Sequence, residues 1–490
     1  METSKSPKNN SSNIVDEAGL IYDESDTFRD SIATVDKNGK RIWLYPKKPK
    51  GKFTGYRNYL SALLLAILFI TPFIKVGGEP LVMLNIIERK FIILGVVFYP
   101  QDFHLFLFLM LTGFVFIILF TVVFGRIFCG WVCPQTIFME SVFRKIEYWI
   151  EGDSPAQKRL DSAPWTTDKI IKKLSKHAIF FTISVIISNI FLSYIISMDK
   201  VIQIISEPIS EHKVGFISML LFSGAFYFVF SKLREQVCTT ICPYGRLQGV
   251  LLDKNSIVIS YDWLRGEPRG KIKKKSELTP VLDQLGDCID CKLCVHVCPT
   301  GIDIRNGTQL ECINCTACID ACDEVMAKVN RPTGLIRYDS YTGIETGKRT
   351  LFTPRAIVYS VILGILILAN IFLLANRSPV EALVLRTPGK LFQKTEDGKI
   401  TNLYNYQLTN KSGKEMKVSL SVENPHFNIR FVGNPPELIL PDQTLEGALF
   451  LEVPKEKIDK RKTWIYLTLN SDTKVLDKTK TTFLGPEKIK

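Results

Sequence analysis

The sequence has few of the residues and motifs on which common enzyme mechanisms depend. Only 5 of its 490 residues are histidine, and it contains no P-loop, no G-x-G-x-x-G and no nucleophile elbow. Motifs therefore give no support to ATP, NAD or hydrolase chemistry. No cysteine follows position 322, so no disulfide supports the C-terminal region.

Apolar and charged residues are segregated along the chain. The averages, 46% hydrophobic and 23% charged, match an ordinary globular protein, yet the mean hydropathy is +0.12. These values exclude a disordered chain, a collagen-like repeat and a small disulfide scaffold. Five segments approach the length of about 20 apolar residues that a helix needs to cross a bilayer. They are 58–76, 103–124, 177–198, 214–231 and 355–376. We therefore predict an α-helical bundle of five spans in contact with the lipid bilayer.

Residues 91–99 form a sixth apolar stretch, which is too short to span a bilayer. This stretch directly follows Glu88, Arg89 and Lys90, and we predict an external interfacial or re-entrant piece. Lys75 stands at the end of the first span, where its long side chain can reach the interface.

The distribution of Lys and Arg predicts the orientation of the bundle. A net charge of +13 is compatible with nucleic-acid binding or with the positive-inside bias of a membrane protein. Residues 1–57, 125–176 and 232–354 hold 11, 9 and 17 Lys or Arg, whereas residues 78–102 and 199–213 hold two each. The N-terminus and both large loops are therefore expected in the cytoplasm, and we expect no nucleic-acid partner. The first 57 residues have no apolar core, so no cleaved signal peptide is expected.

The region after the fifth span is predicted to be an exported β-sandwich of immunoglobulin type. Short segments rich in β-branched and aromatic residues are separated by turn formers such as Gly433–Pro436. The segments are Leu403–Leu408, Lys417–Val422, Phe427–Val432, Leu445–Val453 and Trp464–Leu469.

Eight of the twelve cysteines form two runs with the spacing of a two-cluster ferredoxin. The runs are Cys288-x2-Cys291-x2-Cys294-x3-Cys298-Pro299 and Cys312-x2-Cys315-x2-Cys318-x3-Cys322. In such a module the fourth cysteine of each run ligates the other 4Fe–4S cluster. Cluster 1 would therefore use Cys288, Cys291, Cys294 and Cys322, and cluster 2 would use Cys312, Cys315, Cys318 and Cys298. Two zinc sites are the alternative, although zinc sites rarely repeat C-x2-C steps in this way.

The remaining four cysteines form two C-x3-C-P motifs that look like one internal repeat. Cys129 and Cys133 follow the second span, and Cys238 and Cys242 follow the fourth. Each pair has a basic residue shortly before it, and an x3 spacing places two thiols on one face of a helix. We predict that both pairs end at the same membrane face, where four soft thiolates suit Cu(I), zinc or an iron–sulfur cluster. Incidental cysteines at packed helix ends are the alternative.

Other candidate residues carry weaker signals. His296 lies inside the first cluster run and is expected to tune or cover the cluster. His104 and His177 stand at the ends of their spans, as interfacial residues or against a quinone headgroup. The lysine run 271–275 is interpreted as a solvated face that can also dock an acidic electron donor such as flavodoxin.

With these features together, the sequence resembles the FixG-type family of cytochrome c oxidase accessory proteins. The likeness rests on the paired C-x3-C-P motifs and on Asp287–Cys291, Cys298–Arg305 and Cys312–Asp323, and it extends over nearly the whole chain. Asp323, in place of the usual ferredoxin proline, agrees with the family. The resemblance implies a multi-domain protein of the bacterial inner membrane. Its expected parts are an N-terminal segment (1–57), four spans with the C-x3-C-P motifs (58–254), a dicluster ferredoxin domain (255–354), a fifth span (355–376) and a periplasmic sandwich (377–490).

The resemblance also implies a role in the assembly of cbb3-type oxidases, as a cupric reductase that converts Cu(II) to Cu(I). The copper candidates are the four C-x3-C-P cysteines, supplied with electrons by a cytoplasmic donor through the two clusters. Oxidase subunits or copper-delivery proteins would be the partners, and a homodimer is left open. Two alternatives remain: a quinol-oxidising electron-transfer subunit, and a non-enzymatic copper chaperone or assembly scaffold.

Overall fold

The computed structural model describes most of the chain after residue 39, in two compact units, 1–368 and 369–490. The described residues are 14–15, 21–22, 34–35, 40–86, 90–98, 102–271, 285–389, 391–395, 397–411, 414–440, 443–458, 460–471 and 474–486. Most of the predicted lysine run at 271–275 and most of the N-terminal segment lie outside them.

Among the described residues, five helices have the length and apolar composition that a membrane span requires, as predicted. They are Lys52–Phe73, Phe103–Phe124, Thr167–Ile196, Lys213–Leu233 and Pro354–Ala375. The third is ten residues longer at its N-terminus than predicted, because a polar turn precedes the apolar run. This turn begins at Thr166, whose side chain accepts a hydrogen bond from the Lys169 amide.

The first unit and the last span contain the following helices in the described part of the chain. They are α1 (Lys52–Ile70), α2 (Phe103–Phe124), α3 (Ile127–Trp131), α4 (Pro134–Thr136), α5 (Arg144–Ile150), α6 (Ser154–Ser162), α7 (Thr167–Ile196), α8 (Met198–Ser206), α9 (Lys213–Phe228), α10 (Pro243–Leu251), α11 (Trp263–Gly266), α12 (Leu293–His296), α13 (Ala317–Lys328), α14 (Tyr341–Thr346) and α15 (Pro354–Ala375). Three π-helical turns interrupt this series, at Ile137–Phe143, Val229–Leu233 and Val237–Ile241.

Short strands accompany these helices. They are β1 (Ile14–Val15), β2 (Ile21–Tyr22), β3 (Lys75–Val76), β4 (Glu79–Pro80), β5 (Val82–Asn85), β6 (Lys90–Ile93), β7 (Val96–Phe98), β8 (Val258–Tyr261) and β9 (Ile336–Asp339). The apolar stretch 91–99 falls on β6 and β7 of an antiparallel sheet ordered β5-β6-β7. Its two-residue turn, Leu94–Gly95, has both residues at positive φ, which matches the twist of a tight hairpin. This stretch is therefore a hairpin in the structure.

The second unit is a two-sheet β-sandwich, which confirms the predicted all-β domain. Its strands are β10 (Val380–Arg386), β11 (Gln393–Lys394), β12 (Lys399–Asn410), β13 (Met416–Lys417), β14 (Ser419–Val422), β15 (Asn428–Val432), β16 (Leu438–Ile439), β17 (Thr444–Pro454), β18 (Lys462–Ser471) and β19 (Lys474–Leu484). One main sheet runs β10-β12-β17-β15, with β11 paired to β12, and the other runs β14-β18-β19, while β13 and β16 form a separate short pair. Tyr404, Leu449, Leu467 and Phe483 are fully buried in its core, so packing stabilises it without a disulfide.

Candidate iron–sulfur and thiolate sites

The two ferredoxin-like cysteine runs share a backbone conformation. In the first run Asp290 and Lys292 have positive φ, and in the second run Asn314 and Thr316, at the same two positions, have positive φ as well. A left-handed residue reverses the local direction of the chain, so each loop bends at the same two positions between its cysteines. Each loop then enters a helix, α12 or α13. The sequence spacing is therefore matched by a repeated fold.

The thiols of cluster 1 lie close enough to interact electrostatically. Burial raises the pKa of Cys322 to about 12, and Cys294, Cys288 and Cys291 add to this shift. The pKa of Cys294 is also raised to about 12 by burial, with Cys291 and Cys288 among its neighbours. Cys322 is thus beside three cysteines of the first run. The prediction that the fourth cysteine of each run ligates the other cluster requires this grouping.

The thiols of cluster 2 form a second group around Cys298. Burial raises the pKa of Cys312 to about 12 and that of Cys315 to about 11, and Cys298 contributes to both shifts. The pKa of Cys318 is raised well above its ordinary value by burial and then by Cys315, Cys312 and Cys298. Cys315 and Cys318 are buried, and Cys298 and Cys312 are half-buried. Thiols so close together ionise readily only when a positively charged centre compensates them, so the residues fit a thiolate-ligated cluster.

Two buried arginines near the cluster 2 thiols support this fit. Arg57 donates to the carbonyl of Cys315 at 2.7 Å, and Arg126 donates to the carbonyl of Leu310. They are only 6% and 3% exposed, and the Nε of Arg126 has no hydrogen-bond partner. A buried cation is costly without an anion, and a cluster with four thiolates is anionic. Sequence reasoning missed Arg57, because no local pattern marks it, and noted Arg126 only as the basic residue before the first C-x3-C-P motif.

The C-x3-C-P motifs have a backbone that differs from the predicted one. Cys129 lies in α3, but this helix ends at Trp131, and Cys133 is the extended residue before α4. Cys238 lies in a π-helical turn, and Cys242 is the extended residue before α10. The prediction that each pair shares one helix face is therefore wrong. The proline after each second cysteine favours extended backbone there and starts the next helix.

The two motifs are related by a repeat, although the basic residues before them are not equivalent. Gly125 and Arg234 each stand four residues before the first cysteine, and each ends its helix with positive φ. Arg126 corresponds instead to Glu235, since the carbonyls of these two residues accept from the amides of Cys129 and Cys238, each at 3.1 Å. The two halves therefore share a backbone but carry different charges.

The structure brings the four C-x3-C-P cysteines to one site, which we call the four-thiol site. Burial raises the pKa of Cys238 to about 12, and Cys133, Cys129 and Cys242 are the neighbouring thiols that contribute. Burial likewise raises the pKa of Cys129 to about 11. Its Sγ donates to Oε1 of Gln248 at 2.8 Å. Within the part of the chain that the structure describes, no three His, Cys, Asp or Glu side chains are already arranged around a single metal ion.

The four-thiol site is in direct contact with the cluster 2 loop. Cys129 shares an apolar cluster with Cys315, and a Cβ at Gly130 would overlap the backbone carbonyl of Ile313. Trp131 donates from Nε1 to the Tyr338 hydroxyl at 3.0 Å. That hydroxyl donates in turn to the carbonyl of Asn314 at 3.1 Å. An electron has only a short distance to cross between the two groups of cysteines.

The first span is also fixed to the dicluster module. The carboxylate of Asp320 accepts hydrogen bonds from the Phe53 amide at 3.0 Å and from the Thr54 amide and hydroxyl at 2.7 and 2.6 Å. A carboxylate at these free N–H groups also compensates the positive end of the α1 dipole. Asp320 thus caps a spanning helix from within the second cysteine run.

A buried network of charges surrounds the end of the fourth span. Arg234 pairs with Glu147 at 2.5 Å and lies over the ring of Trp43 at 4.8 Å. Lys176 contacts Glu151 at 2.8 Å and Glu147 at 3.7 Å. Burial opposes ionisation of Glu147, but the charges of Arg234 and Lys176 hold its pKa below the ordinary value.

The predicted histidines lie apart from the thiols. His177 shares a hydrogen bond of 2.9 Å with the Tyr227 hydroxyl. His104 and His296 are exposed, and the carbonyl of His296 accepts from the Lys47 amide. A role of His296 at the cluster stays a prediction.

An apolar cavity of about 460 Å³ adjoins the first C-x3-C-P motif. Val132 and Pro134 of the motif line it together with side chains of α1, α7 and α9. Tyr194 is the lining residue with a hydroxyl group, which donates to the carbonyl of Leu68 at 2.8 Å.

Three family models match the chain. A "4Fe-4S dicluster domain" matches residues 233–341, and a "4Fe-4S binding domain" matches residues 106–153. The model for the "IG-like fold at C-terminal of FixG" matches residues 370–486. The second of these ranges includes the first C-x3-C-P motif.

Curated relatives align over most of the chain. "Nitrogen fixation protein FixG" of Rhizobium meliloti is 32% identical over 466 residues, 85% of this chain and 87% of the relative. "Protein RdxB" of Cereibacter sphaeroides is 34% identical over 397 residues, 78% and 82% of the two chains. "Protein RdxA" of the same organism is 32% identical over 432 residues, 84% and 86% of the two chains.

Proposed function

Because the chain belongs to the FixG/RdxA-type family of membrane iron–sulfur proteins, we propose that it delivers electrons to copper at the four-thiol site. There it would reduce Cu(II) to Cu(I) for assembly of a cbb3-type cytochrome c oxidase. A cytoplasmic donor supplies the electrons, and the dicluster module faces that compartment. The observation that carries the proposal is the convergence of both C-x3-C-P motifs on one site against the cluster 2 loop.

In this proposal each group of cysteines has its own task. Cys288, Cys291, Cys294 and Cys322 hold cluster 1, and Cys298, Cys312, Cys315 and Cys318 hold cluster 2. When bound, such clusters transfer one electron at a time, which is what reduction of Cu(II) to Cu(I) requires. Copper is the substrate of the reaction.

The four-thiol site suits the reduced product better than the oxidised substrate. Thiolates are soft ligands that favour Cu(I), and Cys129 is buried against the apolar side chains of the cluster 2 loop. Its proton is held by a hydrogen bond to Gln248 and must leave when copper binds. The cluster that Cys298, Cys312, Cys315 and Cys318 would hold would supply the one electron that this reduction needs, and no bond to carbon or oxygen changes.

The test is metal analysis with EPR on anaerobically purified protein, compared with the variant Cys129→Ser/Cys133→Ser. We expect eight irons and stoichiometric copper in the unaltered protein. The variant should keep eight irons but lose copper binding and cupric reductase activity. Cys291→Ser is the matched control, because this exposed cysteine belongs to cluster 1 and should alter iron but not copper binding.

Two results would contradict the proposal. Unchanged copper binding and cupric reduction in the double variant would refute the site assignment. Twelve irons without copper would identify a third cluster, the outcome favoured by the "4Fe-4S binding domain" match over residues 106–153.

A second candidate function is quinol oxidation, favoured by the apolar cavity beside Val132 and Pro134. Its volume of about 460 Å³ is within the range of small-molecule sites, and its lining suits a quinol ring with an isoprenoid chain. Quinol-dependent bleaching of the clusters, lost in a Phe138→Trp variant that fills the cavity, would support this function. Cupric reduction without a quinol effect would support the first.

A further inference from the structure

The two predicted clusters have different electrostatic surroundings. Arg57 and Arg126 are buried beside the cluster 2 cysteines, and their charges oppose the rise in pKa that burial causes at Cys315 and at Cys312. Among the ion pairs of the described residues, neither arginine has a carboxylate partner. Two uncompensated positive charges therefore face this group of thiols.

The cation beside cluster 1 is compensated. Arg305 pairs with Asp290 and with Asp303, each at 2.6 Å, so its charge is offset by two carboxylates. A further carboxylate, Asp323, adds to the rise in the pKa of Cys322 that burial causes. Arg305, unlike Arg57 and Arg126, is therefore paired with carboxylates.

Two carboxylates near the cluster 2 cysteines, those of Glu140 and Asp320, have contacts with other groups. Glu140 contributes to the pKa of Cys315, but it is paired with Arg144 at 2.9 Å. Asp320 lies between Cys318 and Cys322 in sequence, and its oxygens accept three hydrogen bonds from the first turn of α1. Among the described residues, neither carboxylate forms an ion pair with Arg57 or Arg126.

Reduction adds one negative charge to a centre that already carries four thiolates. A nearby buried cation stabilises the reduced form more than the oxidised form and raises the reduction potential. Arg57 and Arg126 are 6% and 3% exposed, so their charges are screened less than those of surface arginines.

We propose that Arg57 and Arg126 make cluster 2 the electron-accepting member of the pair. One electron then leaves the site of Cys288, Cys291, Cys294 and Cys322 and arrives at the cluster 2 site, with no proton moved and no bond formed or broken. Cys291 is exposed, so the first of these sites is open to a donor.

The same asymmetry extends to the four-thiol site. Arg126 interacts with both Cys312 and Cys129, so its guanidinium lies beside both the cluster 2 cysteines and the four-thiol site. Electrons accordingly run from cluster 1 to cluster 2 and then to the acceptor at the four-thiol site. This inference rests on the proposed electron-transfer function and on the cluster ligands, but not on copper as the acceptor.

The experiment is an EPR-monitored redox titration of the full-length protein with both clusters loaded and no copper added. The Cys291→Ser variant assigns the cluster 1 signal. We expect cluster 2 to have the higher potential in the unaltered protein. Arg57→Gln should shift the electron distribution toward cluster 1 at least tenfold, about 59 mV for a one-electron couple. Arg57→Lys keeps the positive charge, so this variant should retain most of the electron distribution of the unaltered protein.

Arg305→Gln is the matched control at cluster 1, where loss of the cation exposes two carboxylates and should widen the gap in potential. A higher potential at cluster 1 in the unaltered protein would overturn the inference, even if Arg57→Gln fails to fold. An Arg57→Gln protein with both clusters loaded and an unchanged difference between the two potentials would overturn it as well. Cupric reductase activity is measured separately. If this activity is absent while cluster 2 has the higher potential, only the proposed function is refuted. If the activity is full while cluster 1 has the higher potential, only this inference is refuted.

Discussion

Asp320 offers a direct test of how the first span is fixed to the dicluster module. Its carboxylate accepts three hydrogen bonds from Phe53 and Thr54, at 2.6 to 3.0 Å. Hydrogen bonds to a charged group contribute about 1.5–3 kcal/mol each, and loss of a helix cap costs about 0.5–2 kcal/mol. Phe53 and Thr54 are half-buried, so water replaces part of the loss. We therefore expect Asp320→Ala to cost about 3 kcal/mol, roughly a hundredfold in the local opening equilibrium.

The assay is hydrogen exchange at the first turn of α1, together with the rate of iron loss during mild heating. Asp320→Ala should accelerate exchange of the Phe53 and Thr54 amides about a hundredfold, and Asp320→Asn, which keeps one acceptor oxygen, should have a smaller effect. Glu324→Ala is the matched control on the same helix, because its ion pair with Lys328 is exposed and contributes at most about 1 kcal/mol. If Asp320→Ala and Glu324→Ala exchange equally fast, the cap does not hold α1 to the module.

Three further predictions concern the four-thiol site and its surroundings. Gly130→Ala should separate this site from the cluster 2 loop at a cost of about 1–3 kcal/mol, seen as slower electron transfer to copper at unchanged iron content. Copper affinity should rise with pH from 6.5 to 8.5, because Cys129 and Cys238, with pKa values raised by burial, are protonated there and each must release its proton. Competition titrations measure this slope, and a flat profile would exclude these thiols as ligands. Arg234→Leu should cost about 3–5 kcal/mol in thermal unfolding, because Glu147 loses its closest buried partner, whereas Arg234→Leu/Glu147→Leu should recover part of that loss.

The features that the sequence predicted are those encoded locally. Apolar runs predict spans because length and composition suffice, and the structure has all five. Cysteine spacing likewise predicts two loops, and the left-handed residues at Asp290 and Asn314 repeat in both. The five strand segments named for the sandwich did not include β10 or β19. The Lys and Thr residues of β19 lower its hydropathy, so it does not stand out as an apolar segment.

The features that it did not predict depend on contacts between distant segments. Arg57 precedes an apolar run and looks like an ordinary interfacial charge, yet it contacts a carbonyl 258 residues away. The C-x3-C-P motif failed for a different reason. The prediction that both cysteines of a pair lie on one helix face assumed a continuous helix up to the proline that follows the second cysteine. Pro134 and Pro243 end that regularity at the second cysteine of each pair.

The contacts around cluster 2 indicate why the module is joined to the spans at this loop. Arg57 of α1, Arg126 before α3 and Gly130 within α3 all reach the segment Leu310–Cys315. A loop held from two spanning elements keeps a fixed distance to the four-thiol site, and electron transfer depends steeply on that distance. Because these contacts also supply the unpaired positive charges, the residues that position cluster 2 are the same ones that we propose raise its potential. A substitution at Arg57 therefore has to be judged by potential and by iron content together, since loss of position alone lowers the transfer rate without shifting the electron distribution between the clusters.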